Sequence, residues 1–166
     1  QEIIEIKPSA SNHAPLRILQ KVIEINNAAL TNPGNHSDTT LEHGLKSLHQ
    51  LCPKGSDIIM LSDFVRYNES NYSLINQIRR HNRVRLVHFY DPLEQGVTAF
   101  KGSKQITDGN KTQWFNFSSS KEKEKLSHVF DQKQQQLMQM SLSLAIPYSS
   151  LSCAQSLMSQ VSGVQS

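Results

Sequence analysis

One ten-residue stretch, Gly55-Ser-Asp-Ile-Ile-Met-Leu-Ser-Asp-Phe64, constrains this chain more than any other. Ile58 to Ser62 form an unbroken run of apolar or small residues, too short for a helix and rich in β-branched and aliphatic side chains. Such a run reads as a strand buried on both faces, the kind found in a parallel sheet. It stops at Ser62-Asp63-Phe64, so a carboxylate stands where the strand leaves the sheet. A second apolar run, Arg85-Leu-Val-His-Phe-Tyr90, follows one helix later and ends in Asp91. Ligand sites in open α/β sheets lie just beyond the carboxyl ends of strands. Two neighbouring strands that each deliver an acid to one edge therefore make that edge the first place to look for function.

The rest of the chain supplies alternating elements. Ile3–Ile6 is β-prone and stopped by Pro8, which suggests a short edge strand. Residues 14–30 carry Leu16, Leu19, Val22, Ile23 and Ala29 near helical spacing, with Pro15 suited to a first turn. Residues 31–38 are turn-formers throughout, and Asp38 or Thr39 can cap a helix covering Leu41, Leu45, Leu48 and His49. A helix over 70–81 buries Leu74, Ile75 and Ile78. Two strands around Asp108-Gly109, 97–106 and 112–117, read as a β-hairpin laid beside the main sheet. A polar helix from Lys121 to about Met140 follows, striped by Leu126, Val129, Phe130, Leu137 and Met140 or Ser141. Leu142–Ile146 then reads as a strand, and residues 150–161 as a terminal helix. This order predicts an α/β fold, a three-layer sandwich with a mainly parallel sheet and a small β-hairpin.

A chain of 166 residues suffices for one α/β domain with a core. A net charge of +3 points to neither nucleic acid nor an anionic membrane. No stretch approaches the roughly 20 apolar residues of a membrane span, and Cys52 and Cys153, far apart, read as reduced thiols. The chain opens on Gln1 rather than Met and reaches β-prone residues within two positions, so an N-terminally incomplete fragment is expected.

Each candidate site has an ordinary structural explanation beside it. Asp63 and Asp91, with Asp38, Thr39 and Thr40 in reach of the same rim, offer the oxygens that a hard cation such as Mg²⁺ takes. Helix capping by Asp63 and Thr39, and a turn at Asp91-Pro92, would explain the same residues. His36, His43 and His49 lack the spacing of a zinc site. Arg79, Arg80, His81, Arg83 and Arg85 could grip phosphates, but with no interleaved aromatics they fit better as cations complementing a helix end. No phosphate loop, nucleophile elbow or zinc-protease motif occurs.

Leu61-Ser-Asp-Phe64, Ile78-Arg-Arg-His81 and Val87-His-Phe-Tyr-Asp-Pro-Leu-Glu94, with Gly102 and Asp108-Gly109 after them, resemble the bacterial domain-of-unknown-function family fifty-eight. The resemblance implies a von Willebrand factor A-like, Rossmann-like domain spanning residues 1–166, lacking its first strands. It also implies a non-catalytic, cytoplasmic interaction module, lying against the inner membrane and working with a MoxR-type AAA+ ATPase in complex assembly or maturation. In such domains a metal-ion-dependent adhesion site holds a divalent ion at the carboxyl edge; by similarity Thr39 and Asp63 would be its metal residues here, Asp63 acting through water. The Asp-x-Ser-x-Ser motif that opens such sites does not occur upstream. Mg²⁺ is thus expected in the intact site and weakly or not at all on this chain. The alternative is a metal-dependent phosphoryl-transfer or hydrolase domain built on Asp63 and Asp91, with Glu94 or His88 as further acid or base. With the first strand missing, Asp57–Ser62 would present an open edge. Either Ile3–Ile6 moves in beside it or the chain self-associates there.

Overall fold

The computed structural model describes residues 4–31, 40–107 and 112–161. Thr39, Asp38, Ile3 and the Asp108-Gly109 turn lie outside the described residues. The chain divides into two compact units, residues 1–40 and 41–166.

In the first unit, helix α1 spans Ala14–Thr31. Ser11 starts it, its carbonyl accepting from the Ala14 amide at 2.9 Å, and Pro15 fits the first turn, where an amide is dispensable. Thr31 closes it by turning its hydroxyl back onto the Asn27 and Ala28 carbonyls. Leu16, Leu19, Val22 and Ile23 follow the expected period, yet all are more than half exposed. Residues 4–10 before the helix adopt no strand, so the Ile3–Ile6 strand is not formed over its described part.

The second unit begins with α2, Leu41–Leu51, and β1, Asp57–Ser62. Helix α3, Glu69–Arg79, leads to β2, Arg83–Tyr90, and a 3₁₀ turn over Pro92–Gln95. Strands β3, Ser103–Thr107, and β4, Thr112–Asn116, precede the long helix α4, Ser120–Leu144. Strand β5, Tyr148–Ser152, and the short α5, Leu157–Val161, complete it. The main sheet has the order β1-β2-β5, all parallel, with Ser62 opposite His88 and His88 opposite Ser150.

Register partners in a parallel sheet share a face, and alternate residues take opposite faces. Ile58, Val84 and Leu86 therefore lie on one side, where they meet Leu45 of α2, Ile75 and Ile78 of α3, and Leu137, Met140 and Leu144 of α4. On the other side Ile59 and Leu61 are 59% and 63% exposed, and no sheet residue is fully buried. The core of this unit thus has two layers rather than three. Strand β1 is a one-sided edge strand, not a strand buried on both faces. Its apolar run fooled the composition argument because continuity alone does not say which alternate residues are covered.

Two local connections fix the strand starts. Asn82 donates to the Ile78 carbonyl at 2.8 Å and accepts from the Ser56 amide at 3.0 Å, tying the end of α3 to the entry of β1. Gly55, at a positive φ of 86°, donates its amide to the His81 carbonyl at 2.7 Å. The hairpin β3–β4 is a separate antiparallel sheet with its own aromatic cluster of Phe100, Phe115 and Phe117.

The C-terminal third departs most from expectation. Leu142 and Leu144 belong to α4, and no strand forms over Leu142–Ile146, because Leu137, Met140 and Leu144 continue one helical stripe into the core. Ala145, in the left-handed region at φ 49°, ends the helix, with its amide on the Leu142 carbonyl at 3.2 Å. Pro147 prevents the helix from resuming. The strand comes next, at Tyr148–Ser152, and α5 starts only at Leu157, not at residue 150.

Candidate functional site at the carboxyl edge of the sheet

Strands β1 and β2 run side by side in parallel, so Asp63 and Asp91 both leave the sheet at its carboxyl edge. Their local roles differ. After β1 the chain turns sharply through Phe64, whose φ of 49° is unusual for a bulky residue and whose ring is buried. The Ser62 hydroxyl accepts from the Phe64 amide at 3.0 Å and Asp63 Oδ1 accepts from the Val65 amide at 3.1 Å. Asp63 is thereby held in an Asx turn and stays exposed, with Oδ2 unpartnered among the described residues. It does not cap α3. Asn68 does, accepting from the Asn71 amide at 3.2 Å while the Asn71 side chain accepts from the Asn68 amide at 2.9 Å.

Asp91 is committed to a reciprocal cap of the 3₁₀ turn. Its Oδ1 accepts from the Leu93 amide at 2.8 Å, and Glu94 Oε1 accepts from the Asp91 amide at 3.1 Å. Glu94 has a second task, because its Oε2 lies 3.8 Å from Lys133 Nζ. Asp91 is exposed and, like Asp63, gives Oδ1 to the amide two residues on, so the two carboxylates are held in the same way.

His88 lies deeper, on the core side of β2, and has no exposed surface. Its Nδ1 is 3.1 Å from the Tyr148 hydroxyl and 3.5 Å from the Ser150 hydroxyl. The ring stacks on Phe130 and Tyr148, with centroids 5.9 and 6.4 Å away, and meets Phe64 edge-on. Nε2 has no hydrogen-bond partner among the described residues. Burial holds the imidazole below the usual histidine range and the Lys133 charge adds to this, while Glu94 and Asp63 oppose it. Burial likewise lowers Lys133, against the pull of the same two carboxylates.

Lys133 is the residue that sequence reasoning missed. The signal was present: the stripe 126, 130, 133, 137, 140 places a lysine in the middle of the apolar face of α4. A cation at such a position stays charged most readily with a carboxylate beside it, which Glu94 provides.

Among the described residues no three His, Cys, Asp or Glu side chains converge at this edge, where Asp63 contributes one carboxylate. Mg²⁺ takes six oxygens in near-octahedral geometry, and Thr39, the other residue expected there, lies outside the described residues. Comparison with family models, with curated proteins and with solved structures finds no match to this chain.

Proposed function

We propose that the chain is a von Willebrand A-like protein-interaction module without catalytic activity of its own, working with a MoxR-type AAA+ ATPase in the assembly or maturation of protein complexes. The observation that carries this reading is the pair Asp63 and Asp91. Each is an exposed carboxylate at the carboxyl end of a parallel strand, held through Oδ1 by the amide two residues on. A group meant for a partner must be rigid and accessible at once. The acid–base chemistry of a hydrolase has less to work with at this edge, since Glu94 is engaged by the Asp91 amide and by Lys133.

A direct test is binding between this chain and a MoxR-type ATPase from the same genome, measured by biolayer interferometry with Mg²⁺ and nucleotide present. Wild type should bind, and Asp63→Ala should weaken binding by about tenfold, equivalent to about 1.4 kcal/mol. Absence of binding at roughly 100 μM, an affinity weaker than about −5.5 kcal/mol, would remove the ATPase from the proposal.

A further inference from the structure

The β3–β4 hairpin has two unlike faces. Its register opposes Ser103 to Asn116, Lys104 to Phe115, Gln105 to Trp114 and Ile106 to Gln113. Partners across an antiparallel pair share a face, and neighbours along a strand alternate between faces. Lys104, Ile106, Gln113 and Phe115 therefore form one face, whose Phe115 is buried against Phe117 in the aromatic cluster. Ser103, Gln105, Thr112, Trp114 and Asn116 form the other, and all of them are exposed. Trp114 is the sole tryptophan of the chain. It is 70% exposed, with no ring contact or hydrogen bond of its side chain among the described residues.

Tryptophan is highly buried on average, so packing does not account for one left on a polar face. Its neighbours narrow what it can meet. Gln105 stands directly opposite, at a cross-strand spacing of about 5 Å between Cβ atoms, and Thr112 and Asn116 lie two residues to either side. This face carries no charge, so nothing on it would track a phosphate backbone, as a base-stacking site for single strands requires. It carries no second apolar side chain either, whereas membrane and protein contacts use a wider apolar patch. Side-chain amides and hydroxyls both donate and accept, as the hydroxyls of a sugar do. The C–H face of a pyranose ring is weakly positive and is attracted by the negative face of an indole. Asn116 is steadied by the Ser118 amide, which donates to its Oδ1 at 2.9 Å and leaves its N–H₂ to donate elsewhere. The Gln105 side chain has no hydrogen bond among the described residues.

We propose that this outer face of the hairpin binds a neutral pyranose saccharide, its C–H face stacked on Trp114 and its hydroxyls bonded to Gln105, Thr112 and Asn116. The site is independent of the carboxyl-edge reading.

Because Trp114 is the sole tryptophan, tryptophan fluorescence reports on this site alone. Titration of the full chain with cellopentaose or maltopentaose should give a saturable fluorescence change with a Kd below about 1 mM. By calorimetry, Trp114→Ala should weaken binding by at least about tenfold, with the melting temperature essentially unchanged because the side chain is exposed. Trp114→Tyr keeps an aromatic face and should fall between the two. Gln105→Ala, which removes one hydrogen-bonding group, should cost about threefold. No saturable change with either sugar up to about 10 mM, or an unchanged affinity in Trp114→Ala, overturns the site. A labelled oligothymidylate that binds through Trp114 where the sugars do not overturns the saccharide assignment and makes the face a stacking platform for single strands.

Discussion

His88 gives the structure a measurable pH dependence. It is fully buried, and burial, assisted by Lys133, keeps its imidazole less basic than in the unfolded chain. Glu94 on the 3₁₀ turn and Asp63 after β1 pull the other way without reversing this. A histidine whose folded pKa is depressed is protonated preferentially in the unfolded state. Its contribution is therefore fully present above the unfolded value, about 6.5, and is lost as pH falls through that value towards the folded one. Lowering pH from about 7 to about 5.5 costs the native state at most about 1.3 kcal/mol through this residue, the limit in which only the unfolded chain takes the proton. The slope approaches about 1.4 kcal/mol per pH unit where the unfolded chain alone takes the proton.

Urea unfolding of wild type and His88→Phe at several values in that window isolates the effect. The other histidines are common to both proteins and cancel in the difference. Phenylalanine preserves the stack on Phe130, and the Tyr148 hydroxyl keeps Ser150 and Gln134 within reach. Wild type should lose more stability than the variant between those pH values, by no more than about 1.3 kcal/mol. Parallel pH profiles for the two proteins would refute the assignment of a buried, neutral His88. Should the phenylalanine variant fail to fold, His88→Gln serves the same comparison.

Two further outcomes follow from single contacts. Gly96 sits at φ 73°, and a Cβ built there would lie 2.5 Å from the Lys123 carbonyl oxygen, so Gly96→Ala should destabilise by more than about 1 kcal/mol in denaturant unfolding. Calorimetry with Mg²⁺ should give no tight stoichiometric binding to residues 1–166, because Asp63 supplies one of the roughly six oxygens that the ion requires.

The helices were the legible part of the fold, because a period of 3.6 survives in Leu41, Leu45 and Leu48 and in Ile75 and Ile78 whatever covers them. The strands β1 and β2 were legible for the opposite reason, their apolar runs being too short for a helix. Strand β5 was not. Tyr148-Ser-Ser-Leu-Ser152 has the composition of a turn or a helix start, and its pairing with Leu86–Tyr90 comes from the sheet's need for a second neighbour. Helix α1 illustrates the reverse case. Its amphipathic pattern predicts the helix, yet Leu16, Leu19 and Ile23 are more than half exposed, since a pattern shows which face is apolar and not whether anything covers it.

At the carboxyl edge, composition suggested two equivalent acids, and the local hydrogen bonds keep them alike: Asp63 Oδ1 takes the Val65 amide, Asp91 Oδ1 takes the Leu93 amide, and both side chains stay exposed. What divides them is the chain that follows, a bulky residue at positive φ after Asp63 and a capped 3₁₀ turn after Asp91. At the amino end the basic cluster divides by face. Arg83 and Arg85 stand on the exposed side of β2, Arg83 paired with Asp57, while Arg79 ends α3, whose Ile75 and Ile78 pack on the core side. A solvated cation on an exposed strand face needs no ligand to explain it. Two carboxylates delivered side by side to one edge are the less ordinary arrangement, and replacing Asp63 and Asp91 singly and together is where functional tests should be concentrated.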